Sequence, residues 1–310
     1  MPDDFDPSPR RPSTPVEQLL DWLLQPTVLL LLSCSVAAWV FVPKLNVRLP
    51  DLRNDRQYLL ATSEIEITTP PHWVPHDLAQ QATRQARLPD ELLLLDPDVT
   101  RQVAAAFEKH PWVLGKVHVS TSVPARMRVE LEYREPVAIV RVVQGATSGL
   151  YPIDREGTLL PSADFAPSQL SKYPLIETIS TPPAVAAGLV WKDARVIGAA
   201  RLAVELKPNW EHFGFQSILV PANTDRGLTW DRLNLQLTTR GGSRVIWGRP
   251  PGAKHPGELS VEKKIERIKF YLSHHGPFDS ATHGPFEYDI TGWRDILRKP
   301  IADRGHSQRR

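Results

Sequence analysis

An uncharged apolar run near the start of the chain constrains the fold most, because so long a stretch must be buried in lipid or in a protein core. It covers residues 27–42 and reads TVLLLLSCSVAAWVFV. As a helix it would measure about 24 Å, against about 30 Å for the hydrocarbon core of a bilayer. Further apolar residues upstream, with Trp22 and Trp39 at interfacial positions, predict a transmembrane anchor over residues 19–43. The anchor residues are Thr27, Leu30, Leu32, Val36, Trp39 and Val42.

A cleaved signal peptide and a buried core helix are the alternatives for this run. It is longer than the apolar region of most signal peptides, and Pro43 and Lys44 stand where a small-residue cleavage site would be expected. The cations that follow the run would keep the bulk of the chain in the cytoplasm by the positive-inside rule alone. That rule weakens before a long domain, so charge alone leaves the orientation open.

Composition narrows the functional classes. A net charge of +2, from 37 Lys and Arg against 35 Asp and Glu, gives no electrostatic case for nucleic acid binding. The single cysteine, Cys34, excludes an internal disulfide and a cysteine-based zinc site. The pattern of the ends predicts a disordered tail over residues 1–18, a juxtamembrane linker over 44–57 and a basic flexible tail over 296–310.

Residues 58–135 predict a module with the order β-α-α-β-β. Alternation over residues 63–68 indicates a strand, and apolar residues at helical spacing predict helices over 75–87 and 97–109. Two alternating strands follow, over residues 113–121 and 126–135. This order of elements allows two helices to pack on one face of a three-stranded sheet.

Residues 136–295 predict a mainly antiparallel β domain with two or more helices. Short apolar or alternating segments predict its strands, and helical spacing predicts helices over 193–206 and 261–272, the second capped by Ser260. The last predicted strand covers residues 286–290. The fold class expected for the whole chain is therefore α+β, behind one N-terminal transmembrane helix.

Several short motifs, taken in order, resemble the FtsQ/DivIB family of cell-division proteins, in which a POTRA domain precedes a β domain. The resemblance as a whole covers roughly residues 58–293. Its motifs read HPWV (110–113), VHV (117–119), VEL (129–131), REPVA (134–138), YPIDREG (151–157), LQL (235–237) and VIWGR (245–249). Two departures are a Pro- and Ala-rich insert over residues 181–191 and Asp289-Ile290-Thr291 in place of the Asp-Leu-Arg type of ending.

The resemblance implies a non-enzymatic, single-pass scaffold of the cell inner membrane, with its bulk in the periplasm at the division septum. Its implied partners are coiled-coil proteins of the FtsB, FtsL and DivIC type and the septal peptidoglycan synthase complex. Binding would occur by strand addition at an exposed edge of the β domain. The candidate partner-binding residues are Phe286, Tyr288, Ile290 and Trp293. The alternative for the alternating apolar residues is packing in the β-domain core.

Two other functions compete with the scaffold. POTRA domains also serve in envelope assembly and secretion, but no series of amphipathic barrel strands follows this module. A metal-dependent periplasmic hydrolase would draw on His274, His275, Asp279, His283 and Asp289. Glycine–proline pairs make that segment a loop, which preorganises metal ligands poorly. We therefore expect no cofactor, no metal and no small-molecule substrate.

Overall fold

The computed structural model describes residues 25–48, 52–145, 147–222, 229–280 and 285–301. The helices in these ranges are Pro26–Arg48 (α1), Leu78–Gln85 (α2), Val99–Glu108 (α3), Pro167–Leu170 (α4), Ala194–Leu206 (α5) and Val261–His275 (α6). The strands are Leu59–Ala61 (β1), Glu66–Ile67 (β2), Glu91–Leu93 (β3), Val113–Ser122 (β4), Arg126–Tyr133 (β5), Pro136–Gln144 (β6), Thr147–Asp154 (β7), Leu175–Ile179 (β8), Phe215–Leu219 (β9), Leu235–Thr239 (β10), Arg244–Gly248 (β11), Phe286–Asp289 (β12) and Leu297–Pro300 (β13). The predicted tail at residues 1–18 lies outside the described residues.

The chain divides into two compact units, residues 1–55 and residues 56–310. The first contains α1, which runs through the predicted anchor. No helix in the described part of the chain is long and apolar enough to cross a membrane. The predicted transmembrane helix is therefore wrong. The uncharged run is about 6 Å too short for a hydrocarbon core, and the last turns of α1 carry Lys44 and Arg48.

The second unit begins with a small sheet covered by two helices. Its strands lie in the order β2-β5-β4, with β2 parallel and β4 antiparallel to β5. The apolar stripe of α3 and alternate residues of β5 point into one core, which confirms the predicted helices and the two long strands. The observed element order has two further strands, since β1 and β3 pair antiparallel as a separate ribbon.

The rest of the second unit is an eight-stranded sheet in the order β13-β12-β11-β10-β9-β8-β6-β7. The expectation of a mainly antiparallel domain of the α+β class is wrong, because β6–β8, β8–β9 and β11–β12 are parallel pairs and the fold is mixed α/β. The reason is connectivity. Helix α5 joins β8 to β9 and α6 joins β11 to β12, and a helical crossover brings the next strand back in parallel.

Helices α5 and α6 pack against one face of this sheet and fill its core. The Asp193 side chain accepts a hydrogen bond from the Arg195 backbone N–H, 2.9 Å away, and so caps α5. Ser260 caps α6, as predicted, by accepting from the Lys263 N–H. Both caps fix where each helix begins.

A buried ion pair joins the small sheet to the large one. The Arg134 guanidinium lies 2.7 Å from a carboxylate oxygen of Asp154, at the end of β7. Asp154 also accepts the N–H groups of Glu156 and Thr158, at 2.9 and 2.8 Å. The Trp112 indole N–H adds a second link, donating to Asp164 at 2.7 Å. Two of the segments that carry the FtsQ/DivIB resemblance, residues 134–138 and 151–157, therefore meet at this junction.

Candidate functional site

Three of the four residues predicted to bind a partner, Phe286, Tyr288 and Ile290, pack in the core of the large sheet. The Tyr288 side chain is 1% exposed, and its hydroxyl donates to the Phe278 carbonyl at 2.8 Å. Ile290 is fully buried and Phe286 is half-buried. Burial raises the pKa of the Tyr288 phenol above its ordinary value. These side chains therefore stabilise the domain from within.

The strand register explains why Tyr288 is buried. One row of residues crosses six strands on the helix-covered face, and every member is apolar or aromatic. The row consists of Val140, Ile176, Ile218, Leu237, Val245 and Tyr288. Side chains alternate between the two faces of a sheet, and residues that lie opposite one another on neighbouring strands share a face. All six side chains of this row therefore face α5 and α6.

Strand β12 is not the edge of the sheet, contrary to the sequence-based prediction. Strand β13 pairs with it antiparallel, with Glu287 opposite Lys299 and Asp289 opposite Leu297. The tail predicted to be flexible from residue 296 thus forms the edge strand over residues 297–300, while residues 302–310 lie outside the described ranges. The candidate edge moves by one strand, from β12 to β13.

Strand β13 presents a short, charged edge. All four of its residues are exposed. The Ile301 N–H donates to the Pro285 carbonyl at 3.1 Å, so Leu297 and Lys299 also turn their backbone groups toward β12. The outward residues are then Arg298, with one N–H and one carbonyl, and Pro300, with a carbonyl only. The Arg298 guanidinium lies 4.7 Å from the centre of the Phe286 ring.

Trp293 lies in the turn that leads into β13, and α6 holds this turn in place. The Arg267 guanidinium donates to the carbonyls of Ile290, at 3.2 Å, and of Trp293, at 3.1 Å, and it also contacts the Gly292 carbonyl. The Trp293 indole N–H donates to the Gly257 carbonyl at 2.9 Å, although most of its ring is exposed. A groove of about 770 Å³ lies between α6 and residues 293–296.

A buried lysine on α6 was not expected from the sequence. The Lys264 ammonium donates to the Trp247 carbonyl at 2.7 Å and pairs with the Glu258 carboxylate. Burial lowers the pKa of Lys264, and Glu258 partly opposes this shift. The predicted helix over residues 261–272 gave no sign that Lys264 is buried. Glu258, two residues before the Ser260 cap, was the available signal.

Strand β7 forms the opposite edge of the large sheet. The Ile139 N–H donates to Pro174, on the β8 side, so alternate residues of β6 turn toward β7 and bond Thr147, Gly149 and Tyr151. The outward backbone groups of β7 therefore belong to Ser148, Leu150 and Pro152. The Pro152 carbonyl already accepts the Leu160 N–H at 2.9 Å. No sequence pattern predicted that β7 would be an edge strand.

The residues assigned to the anchor occupy α1. Those whose side chains are described are all exposed: Thr27, Leu30, Leu32, Val36 and Trp39. Val42 lies on the same helix. None of these residues belongs to the candidate surface on the large sheet.

The described residues that were considered for a metal site have other partners. The Asp279 carboxylate accepts from the Thr239 hydroxyl at 2.6 Å and from the Gly241 N–H at 2.8 Å. The His275 ring stacks on Tyr271 at the end of α6, and Asp289 accepts from Thr291. His283 lies outside the described residues. Among the residues described, no group of three His, Cys, Asp or Glu side chains is placed to hold a metal ion.

Comparison with known proteins returned no relative from which to infer function. No protein-family model matches the sequence, and no curated protein matches it significantly. The resemblance to FtsQ/DivIB proteins therefore stays a prediction that depends on the short motifs.

Proposed function

We propose that this chain is a scaffold of the FtsQ/DivIB type, which joins other division proteins by accepting a strand at β13. The observation that carries the proposal is the exposed edge strand Leu297–Pro300, ordered at the end of a large sheet and held there through Arg267. Strand addition needs a preformed row of backbone groups and side chains that select the partner.

The charge of β13 indicates the kind of strand that it would accept. Arg298 and Lys299 are both exposed. On β12, the Phe286 ring contacts Arg298, and Glu287 lies opposite Lys299. A cation directly opposite an acidic residue is favourable across paired strands, whereas a cation opposite another cation is unfavourable. The partner strand is therefore expected to carry Asp or Glu at the positions that face Arg298 and Lys299.

The proposed partners are small coiled-coil division proteins of the FtsB, FtsL and DivIC type, and through them the septal peptidoglycan synthase. The proposed place of action is the division septum, on the extracytoplasmic side. The proposal concerns the unit that begins at residue 56 and makes no use of a membrane span. It requires no cofactor and no reaction.

An Arg298→Pro variant tests this proposal, because proline removes the outward N–H of β13. We expect capture of a purified coiled-coil partner to fall about tenfold or more, since main-chain hydrogen bonds supply much of the affinity of strand addition. Arg298→Ala keeps the N–H and should lose less. Leu150→Pro, at the opposite edge, is the matched control and should capture normally. Circular dichroism verifies that each variant is folded.

Undiminished capture by a folded Arg298→Pro variant would contradict strand addition at β13. An equal loss in the Leu150→Pro control would show that the effect is not specific to this edge. A tagged copy of the natural protein should concentrate at the septum of dividing cells. Uniform distribution would count against the cell-division role, whatever the binding assay gives.

A further inference from the structure

The outer side of β7 is a second place where a strand could pair. Ser148 and Leu150 turn both their N–H and their carbonyl groups away from β6, as the alternation along this antiparallel pair requires. In the described ranges, no backbone hydrogen bond reaches these outward groups. Both residues are exposed, and the Leu150 side chain is 39% accessible.

Within the part of the chain that the structure describes, this edge lacks the devices that usually protect an exposed strand. Natural edge strands are commonly guarded by charged residues, proline or a covering loop. Residues 145–153 carry no charge. The one proline of the strand, Pro152, comes after the accessible part, where its carbonyl is already bonded to Leu160. Residues 147–151 therefore form an accessible, neutral strand.

We propose that β7 pairs antiparallel with β7 of a second copy of this chain, about a two-fold axis at Gly149. Ser148 of each copy then lies opposite Leu150 of the other, and each such pair exchanges both its N–H···O bonds. Gly149 lies opposite Gly149 at the position where antiparallel strands come closest, about 4.5 Å between Cα atoms. Gly149 places no side chain between the two strands, and the Tyr151 ring lies 2.7 Å from where a Cβ would be, so any larger residue at this position would have to displace that ring.

Charge favours a second copy as the occupant of this edge. A two-fold interface sets the same surface against itself, so any charge in it would meet an equal charge. The neutral residues 147–151 meet no such repulsion, whereas β13 would bring Arg298 and Lys299 close to the same cations. Pairing through β7 would also set Leu150 of one copy diagonal to Leu150 of the other on the same face of the sheet, where this residue is 39% exposed.

Disulfide trapping between two single-cysteine variants tests this pairing. The full chain, with Cys34→Ser to remove its natural thiol, is prepared separately as Ser148→Cys and as Leu150→Cys, one of them carrying a size tag. Opposite residues in a hydrogen-bonded pair have Cα atoms about 5.5 Å apart, which suits a disulfide. Mild oxidation of the mixture should therefore give a covalent dimer that contains both variants.

Each variant oxidised alone is the internal control. Ser148 of one copy lies diagonal to Ser148 of the other, about 7–8 Å away, which is beyond the usual disulfide range. We expect about fivefold more dimer from the mixture than from either variant alone. A mixture of Leu297→Cys and Lys299→Cys, at the cationic edge, should give no such excess. Equal yields from the mixture and the single variants, an equal excess at β13, or no dimer at all would overturn the proposal.

Discussion

The two edges of the large sheet, β7 and β13, differ in how each is protected. β13 carries two cations and ends in proline. Hydrogen bonds from Arg267 hold the turn that precedes it. β7 is neutral where it is accessible, and it is fixed at its far end by the buried carboxylate of Asp154. The comparison teaches that edge chemistry selects partners. A charged edge rejects its own copy and favours an oppositely charged strand, while a neutral edge tolerates a copy of itself.

Removing the carboxylate at the end of β7 should have the largest effect. Asp154→Ala leaves the Arg134 guanidinium, only 15% exposed, with only the more distant and exposed Glu156 carboxylate, 3.9 Å away, and it unpairs the N–H groups of Glu156 and Thr158. Loss of one partner of a buried ion pair costs about 3–5 kcal/mol, so the free energy of unfolding should fall by that order. Urea denaturation measures the change.

The matched control for this prediction is Arg101→Ala. Its pair with Asp98 has a similar distance, 2.7 Å, but is exposed, so its loss should cost less than about 1 kcal/mol. If the two variants lose the same stability, Asp154 does not anchor β7 in the way described. If Asp154→Ala also changes disulfide trapping at β7, the anchoring and the pairing of that edge are coupled.

Removing the clamp on β13 should have an intermediate, local effect. Arg267→Ala deletes a charged donor that holds the carbonyls of Ile290, Gly292 and Trp293. Hydrogen bonds to charged groups contribute about 1.5–3 kcal/mol each. Hydrogen exchange should show faster exchange in β13 and unchanged exchange in β7. Lys269→Ala, at an exposed position of the same helix, is the control. Equal acceleration at both edges would contradict independent anchoring.

The smallest effect should come from acid and should arise in the small sheet, away from both edges. Burial lowers the pKa of His110 from its ordinary value, although the nearby carboxylates of Asp164 and Asp77 oppose the shift. The unfolded chain then binds a proton more readily than the folded one. Above about pH 6.5, the protonation of His110 should not lower the free energy of unfolding. As the pH falls below that value, this free energy should decrease. Thermal unfolding at several pH values measures the decrease.

A His110→Gln variant isolates this contribution. Glutamine keeps polar atoms near the Trp112 N–H and the Gln81 amide, which contact the imidazole, but it does not titrate. The acid-dependent loss of stability should be smaller in this variant than in the natural protein. An unchanged pH profile would assign the effect to other groups.

Elements with a strong period were predictable from the sequence. Val261, Ile265, Ile268 and Leu272 predicted α6, and alternation over residues 126–133 predicted β5, because packing against one core imposes those spacings. The strands of the β1–β3 ribbon have three residues each, too few to show a period. The prediction of a transmembrane helix was wrong because the apolar run over residues 27–42 lacks charge but is too short to span a hydrocarbon core.

The candidate site was predictable only in part. The sequence placed a strand at residues 286–289, but the alternation of Phe286, Tyr288 and Ile290 does not reveal whether another strand covers it. β13 reads Leu-Arg-Lys-Pro, which has the composition of a flexible tail. Its order comes from pairing with β12 and from the Arg267 clamp, and both are tertiary contacts. The parallel crossovers were missed for the same reason, since strand direction is decided by connections rather than by local pattern.

The place of β13 in the chain has a consequence for biosynthesis. About 140 residues separate the end of β7 from the start of β13. At about 5–20 residues per second, a ribosome needs roughly 10–30 s to translate that interval. A nascent protein therefore exposes its neutral β7 hairpin well before the strand proposed to bind the partner exists. The edge proposed to join two copies is therefore complete before the edge proposed to bind a partner.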